Sequence, residues 1–159
     1  MSDYEQGGFQ ERRHPVHHPV HWRRDSPVVL VTVATAGRKR ILAAADAVET
    51  VVGAWRESGH WLVGRYVFMP DHVHLFATPV RLDVALSAWV RYWKSLASRR
   101  WPRRDQQPVW QRDFWDRQLR GGEGYRDRWA YVLNNPVRAG LVHSADEWPF
   151  AGELTTIDW

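Results

Sequence analysis

The sequence predicts an α+β domain, an antiparallel sheet with helices packed on one face. Three observations point there. The run VVLVTVAT (28–35) is apolar, β-branched and of strand length. The runs WLVGRYVFM (61–69) and HVHLFAT (72–78) are separated only by Pro70-Asp71, which reads as a tight hairpin connection. Segments of helical period alternate with these strands instead of forming a separate block.

Residues 1–27 are polar, follow neither period, and read as a basic, histidine-rich arm. Within it HPVHHPVH presents His14, His17, His18 and His21. Pro15 and Pro19 break the chain between them, and a structural zinc site needs four firmly placed ligands, so metal binding is not expected there. The domain proper is expected over 28–150. Its first strand, 28–35, reads as central and buried, and Gly37 with RKR (38–40) reads as a turn. Residues 41–57 carry Ile41, Ala44, Ala45, Val48, Val51, Val52 and Trp55 on one helical stripe, and Gly59 stops them. After the hairpin, 82–99 places Leu82, Leu86, Trp89, Trp93 and Leu96 on one face, with Arg91, Lys94, Ser95 and Ser98 on more polar ones. A basic loop, WPRRDQQP, leads to a short strand near 108–112. A third helix is expected from Tyr125 to Asn134, ended by Pro136, which disfavours helical geometry in the residue before it. Residues 151–159 read as a tail. The order β-α-β-β-α-(β)-α is that of a ferredoxin-like sandwich.

At 159 residues and 44% apolar content the chain is long enough for one real core. No stretch approaches the roughly 18 apolar residues that span a bilayer, and no signal peptide opens it, so no membrane association is expected. The absence of cysteine removes disulfides and thiolate metal sites, fits a reducing cytoplasm, and leaves His, Asp, Glu and Asn as metal ligands. Lys and Arg number 22 against 18 Asp and Glu, and only Lys39 and Lys94 are lysine. Arginine suits phosphate and stacks on bases, and eleven tryptophans supply flat surfaces. The plainer alternative is that tryptophan fills the core and arginine solvates it. Candidate DNA contacts are Arg91, Lys94 and Ser98 on the second helix and Arg99 at its end. The basic run of Arg100, Arg103 and Arg104 follows, then Arg112, Arg117 and Arg120. Arg12, Arg13, Arg23 and Arg24 in the arm are further candidates.

His72 and His74 flank one valine on a strand, so both imidazoles face the same way and Val73 and Leu75 the other. Such a pair is an economical way to present two metal ligands, yet an HxH dipeptide alone is a loose signal. The third helix adds Tyr131 and, four residues on, Asn135, which share a helical face. A tyrosine is a poor nucleophile at neutral pH unless charge favours the phenolate or a partner takes its proton. An amide oxygen is a suitable hard ligand for Mg²⁺ or Mn²⁺. The residue types also admit a core aromatic and a helix cap, and Asn134 competes with Asn135. Tyr66, Tyr92 and Tyr125 are rival tyrosines.

These residues resemble the single-tyrosine HUH transposases, and more narrowly the REP-associated tyrosine transposases of the IS200-like group. The matching blocks are PVHW (19–22), MPDHVHLF (69–76), WKSLASR (93–99), VWQRDFWDRQLR (109–120), YVLNNPVRAGLV (131–142) and EWPF (147–150). The resemblance implies a metal-dependent endonuclease and strand transferase acting on single-stranded and hairpin DNA. His72, His74 and Asn135 would hold Mg²⁺ or Mn²⁺, and Tyr131 would form a 5′-phosphotyrosine link. It also implies a cytoplasmic, nucleoid-associated protein, with a monomer favoured over a dimer. Two other classes remain: a domesticated hairpin-DNA-binding protein without productive cleavage, and a ferredoxin-like RNA-binding module with a core histidine pair. Metal-dependent cleavage separates the first reading from both.

Overall fold

The structure is a computed structural model that describes residues 27–81, 83–119 and 124–157. Its elements are β1 (Val29–Ala34), α1 (Ala45–Glu57), β2 (Trp61–Phe68), β3 (His72–Pro79), α2 (Leu86–Arg99), β4 (Trp115–Gln118), α3 (Tyr125–Leu133), α4 (Asn135–Arg138) and β5 (Ala151–Glu153). The five strands form one antiparallel sheet in the order β4-β1-β3-β2-β5. The arm, Leu82, Arg120 and the last two residues lie outside the described residues, and the readings made on them stay there.

Helices cover both faces of the sheet, not one as expected. Val29, Val31 and Val33 of β1, with Val73, Leu75 and Ala77 of β3, turn to the layer of α1 and α2. Trp55, Trp89 and Trp93 fill that layer, and with Trp61 and Trp101 they are buried. Trp110, Trp115, Trp129 and Trp148 are half-buried, so the described tryptophans are mainly core material. The opposite face takes α3: Phe76 packs edge-on against Tyr125 and Trp129, with Val28, Val67, Met69, Leu119 and Val132 around them. Since side chains alternate along β3, the face that receives α3 is the face of His72 and His74.

A bulge in β2 reconciles the two layers. Trp61 and Val63 point to the α1–α2 side, the register shifts between Val63 and Tyr66, and Phe68 then points there too. One extra residue has reversed the alternation. Gly64 sits at this shift, where a larger residue would have to push a neighbour aside: a Cβ there would lie 2.6 Å from Ile157 Cδ1 and 2.8 Å from the Tyr125 hydroxyl. The Arg65 N–H donates to that hydroxyl (3.2 Å), which docks the first turn of α3 on the sheet.

Three further boundaries differ from the sequence reading. The strand expected near 108–112 is a single bridge, Thr35 to Trp110, and the regular strand comes later as β4, paired with Val29–Thr32. Helix α3 ends at Leu133, and the chain restarts as α4 with Pro136 in its first turn, where a missing N–H costs nothing. Residues 151–157 are part of the domain: β5 pairs with β2 from Arg65 to Val67, Arg65 bridges Glu153 at 3.0 Å, and Ile157 packs beside Gly64.

Candidate active site

The histidine pair stands at the start of β3, where the hairpin tip is fixed from several sides. The Met69 N–H donates to the His72 carbonyl (2.8 Å) across Pro70-Asp71. The Thr35 N–H donates to the Asp71 carbonyl (3.0 Å), and the Leu42 N–H to that of Pro70 (2.9 Å). Register then supplies the partners of the rings. Thr32 lies directly across from His74, and its Oγ1 is 2.7 Å from His74 Nδ1. His72 faces Ala34, which leaves room, and His72 Nδ1 is 2.7 Å from Asp71 Oδ1. The other carboxylate oxygen of Asp71 accepts from Arg38 Nε at 2.9 Å. Arg38 reaches it from a left-handed turn, with φ of 62° at Gly37 and 55° at Arg38. That conformation is uncommon for a residue with a Cβ.

Both Nδ1 atoms are thus held from behind, and the two Nε2 atoms converge to 3.1 Å. The Asp71 carboxylate selects the His72 tautomer that donates from Nδ1 and leaves a lone pair on Nε2. The Thr32 hydroxyl can donate to or accept from His74. His74 can therefore either donate Nε2–H to His72 or turn a second lone pair into the same space. Burial pushes His74 down to about 3, helped by the charges of His72, Arg138 and Arg38, so its ring is neutral near pH 7. Burial alone would raise Asp71; the hydrogen bond and charge of His72, with Arg38, outweigh it and hold the carboxyl at about 2.

Tyr131 is 60% exposed, whereas Tyr125 is buried in the α3–sheet interface, with burial pushing its phenol up. Tyr66 is half-buried against Trp55, and Tyr92 lies on α2, across the sheet from the histidines. Among the described residues only Tyr131 is an open phenol on the histidine side. Asn135 opens α4, so the two residues belong to successive helices rather than one. Arg138 joins them: its guanidinium stacks 3.9 Å from the centre of the Tyr131 ring and donates to Asn135 Oδ1. The same guanidinium is near enough to His74 to weigh on its basicity. Asn134 is exposed and Asn135 half-buried, which favours Asn135 as the inward amide. Among the described residues no group of three or more His, Asp and Glu could hold a metal, so two imidazoles and an amide oxygen are the donors on offer.

Four expected DNA contacts meet in one cleft of about 610 Å³ between α2 and residues 107–114, lined by Arg91, Lys94, Ser98 and Arg112. Lys94 is already engaged: Nζ donates to the Gln111 (2.5 Å) and Arg112 (3.2 Å) carbonyls, and burial lowers it to about 8. It fixes the loop. Arg99 and Arg117 are exposed but lie outside the cleft lining, and Arg120 is not among the described residues. In the basic run, Arg100 pairs with Glu57 and Arg103 with Asp46. Sequence reasoning missed Thr32, Arg38, Asp71 and Arg138. Asp71 and Arg138 carried a local signal: an acid beside the histidine, and a cation three residues after Asn135.

The sequence of the first four strands and first two helices, and the fold as a whole, are shared with known proteins. Residues 28–120 match the family "Transposase IS200 like", and the chain belongs to that family. The matched span includes the histidines and stops before Tyr131. The chain is similar to a REP-associated tyrosine transposase of Escherichia coli (strain K12), 28% identical over 104 residues, 61% of each chain. A Haemophilus influenzae protein provisionally given the same name is 27% identical over 109 residues, 57% of this chain and 62% of its own. The alignments thus span about three fifths of the length of these relatives. A solved REP-associated tyrosine transposase bound to a REP hairpin has the same fold, with a TM-score of 0.66 at 22% identity, covering 86% of this chain and 82% of the other. No helix among the described residues is long and apolar enough to cross a membrane.

Proposed function

We propose that the protein is a transposase-type nuclease that cuts single-stranded DNA beside a hairpin and transfers the cut strand through Tyr131. The observation that carries this reading is an exposed phenol on the helix layer that covers the histidine face, with the Arg138 guanidinium stacked on its ring and donating to Asn135 Oδ1. The Tyr131 oxygen attacks phosphorus, the phenol proton leaves, the P–O3′ bond breaks and the 3′ oxygen takes up a proton. The products are a 5′-phosphotyrosine and a free 3′-OH. Because one phosphodiester replaces another, a second 3′-OH can reverse the step on a new strand without an energy source.

The donor set fits a divalent ion. Two donors at right angles, each about 2.1 Å from one ion, stand about 3 Å apart, close to the 3.1 Å between the two Nε2 atoms. His72 and His74 would hold it, with Asn135 as the third protein ligand, and Mg²⁺ or Mn²⁺ would supply Lewis-acid activation of the scissile phosphate. Asp71 and Thr32 keep the rings aimed, and the Asp71–Arg38 pair balances its own charge.

The test is a labelled hairpin oligonucleotide with a single-stranded flank, incubated with Mg²⁺ or Mn²⁺. A covalent protein–DNA band is expected, lost with chelator and absent from Tyr131→Phe. A band that persists in Tyr131→Phe would remove Tyr131 as nucleophile. Tight hairpin binding with no band at any metal concentration would leave a DNA-binding protein instead.

A further inference from the structure

We propose that Arg138 is the phosphate-binding cation of this site, and that its contacts with Tyr131 and Asn135 are the resting position it leaves when DNA arrives. The inference rests on the reading of Tyr131 as nucleophile and adds the residue that couples DNA binding to metal binding.

Arg138 is exposed, and among the described residues it pairs with no carboxylate, although Arg38, Arg65, Arg81, Arg100 and Arg103 all do. One face of its guanidinium is satisfied by the Tyr131 ring, and one N–H by Asn135 Oδ1. A guanidinium has five N–H groups in a planar fork suited to two phosphate oxygens, so most of its capacity is unspent on these contacts. Its backbone is fixed even where its side chain is not. The Leu141 N–H donates to the Pro136 carbonyl and the Gly140 N–H to that of Val137, both at 2.9 Å, with Gly140 at φ 72°. This is a Schellman stop placed directly after Arg138.

The resting contact has a consequence for Asn135. Its amide oxygen faces a guanidinium, and a divalent ion on that oxygen would set two cations side by side. A phosphodiester offers Arg138 a charged acceptor in place of a neutral one, a stronger hydrogen bond. Moving the guanidinium to the phosphate bares Asn135 Oδ1 and uncovers the Tyr131 ring. DNA and metal then favour each other, and by linkage the effect is reciprocal.

Two measurements test this, neither of them turnover. In the absence of DNA, Mn²⁺ titrated by electron paramagnetic resonance should bind Arg138→Gln about 5-fold more tightly than the parent. Adding Asn135→Ala should cancel that gain. In a Tyr131→Phe background, which leaves the oligonucleotide uncut, Arg138→Gln should weaken binding of the hairpin with its single-stranded flank. It should also reduce the slope of log affinity against log salt by about 0.7, the loss of one phosphate contact on a single strand. Arg138→Lys should keep the slope, since it keeps the charge. An unchanged slope in Arg138→Gln, or Mn²⁺ affinity that is unchanged or lower, overturns the proposal whether or not the parent protein cleaves. A missing covalent band with both effects present overturns the nuclease reading and leaves Arg138 in its role.

Discussion

His72 shows how much of the site is arranged behind the atoms that would do chemistry. Its Nδ1 is held by Asp71, the Asp71 carboxylate by Arg38, and the Asp71 backbone carbonyl by the Thr35 N–H. Replacing a group that orients a metal-ligating imidazole typically costs 10- to 100-fold in metal affinity, so Asp71→Asn should bind Mn²⁺ at least about 10-fold more weakly. The same variant has a pH signature. Asp71 titrates at about 2 in the fold, against 3.8 as its ordinary value. Its contribution is full above pH 4 and lost as pH falls to about 2, since the unfolded chain takes the proton first. Urea unfolding should show the parent losing about 2 kcal/mol more than Asp71→Asn across that window. His74 adds a separate loss between pH 6.5 and about 3, where the unfolded chain is protonated and the buried ring is not. That part should be slightly larger in Asp71→Asn, because the Asp71 charge favours the His74 proton. At this scale the shared face of His72 and His74 was legible in the sequence, because period-two alternation is local; the placing of Asn135 one turn after Tyr131 on a single helix was not, since the chain breaks and restarts between them. Thr32 was invisible, since its tie to His74 depends on strand register across 42 residues.

Among the elements, β2 and α4 depart most from simple pattern. The phase of WLVGRYVF breaks at the bulge, and only the sheet shows which residue is extra. Gly64→Ala forces either Ile157 or the Tyr125 hydroxyl aside, and overpacking of this kind costs roughly 1–3 kcal/mol. The expected readout is a lower thermal midpoint, together with slower formation of the proposed covalent DNA adduct, because Tyr125 docks the helix that carries Tyr131. An unchanged midpoint would mean that Ile157 yields freely. The helix break at Asn134 was signalled by Pro136, but the restart was not, since a proline is equally suited to end one helix and to open the next. The late edge strand was misplaced for a related reason. Residues 109–111 and 115–118 both run beside β1, and the intervening loop is tied to α2 by Lys94, whose Nζ donates to the Gln111 and Arg112 carbonyls.

For the molecule as a whole, the antiparallel α+β class was legible because strand runs and amphipathic helices are long and clean. The placement of helices on both faces was not. Nothing in the period of Tyr125–Leu133 says which side of a sheet it will cover; that is settled by Phe76, Val67 and Leu119 forming a second apolar surface. The C-terminus was misjudged likewise, since AGELTTI lacks a strand pattern and earns its place by pairing with β2. Deleting residues 151–159 should therefore destabilise the domain by at least about 2 kcal/mol, through lost strand hydrogen bonds and the exposed Ile157 contact. Calorimetry on the truncated chain checks this, and an unaltered midpoint would return the segment to the status of a tail.

The bulge at Gly64 also bears on how such a protein can change over time. By reversing the alternation of one strand midway, it gives the sheet two sides that answer to different demands. The tryptophan layer tolerates little, since every large ring there locks its neighbours. Among the described residues the opposite side carries α3 and the four-residue α4, which can be exchanged or lengthened without reopening that layer. Substitutions in α3 and α4 should accordingly accumulate over a foundation that stays the same.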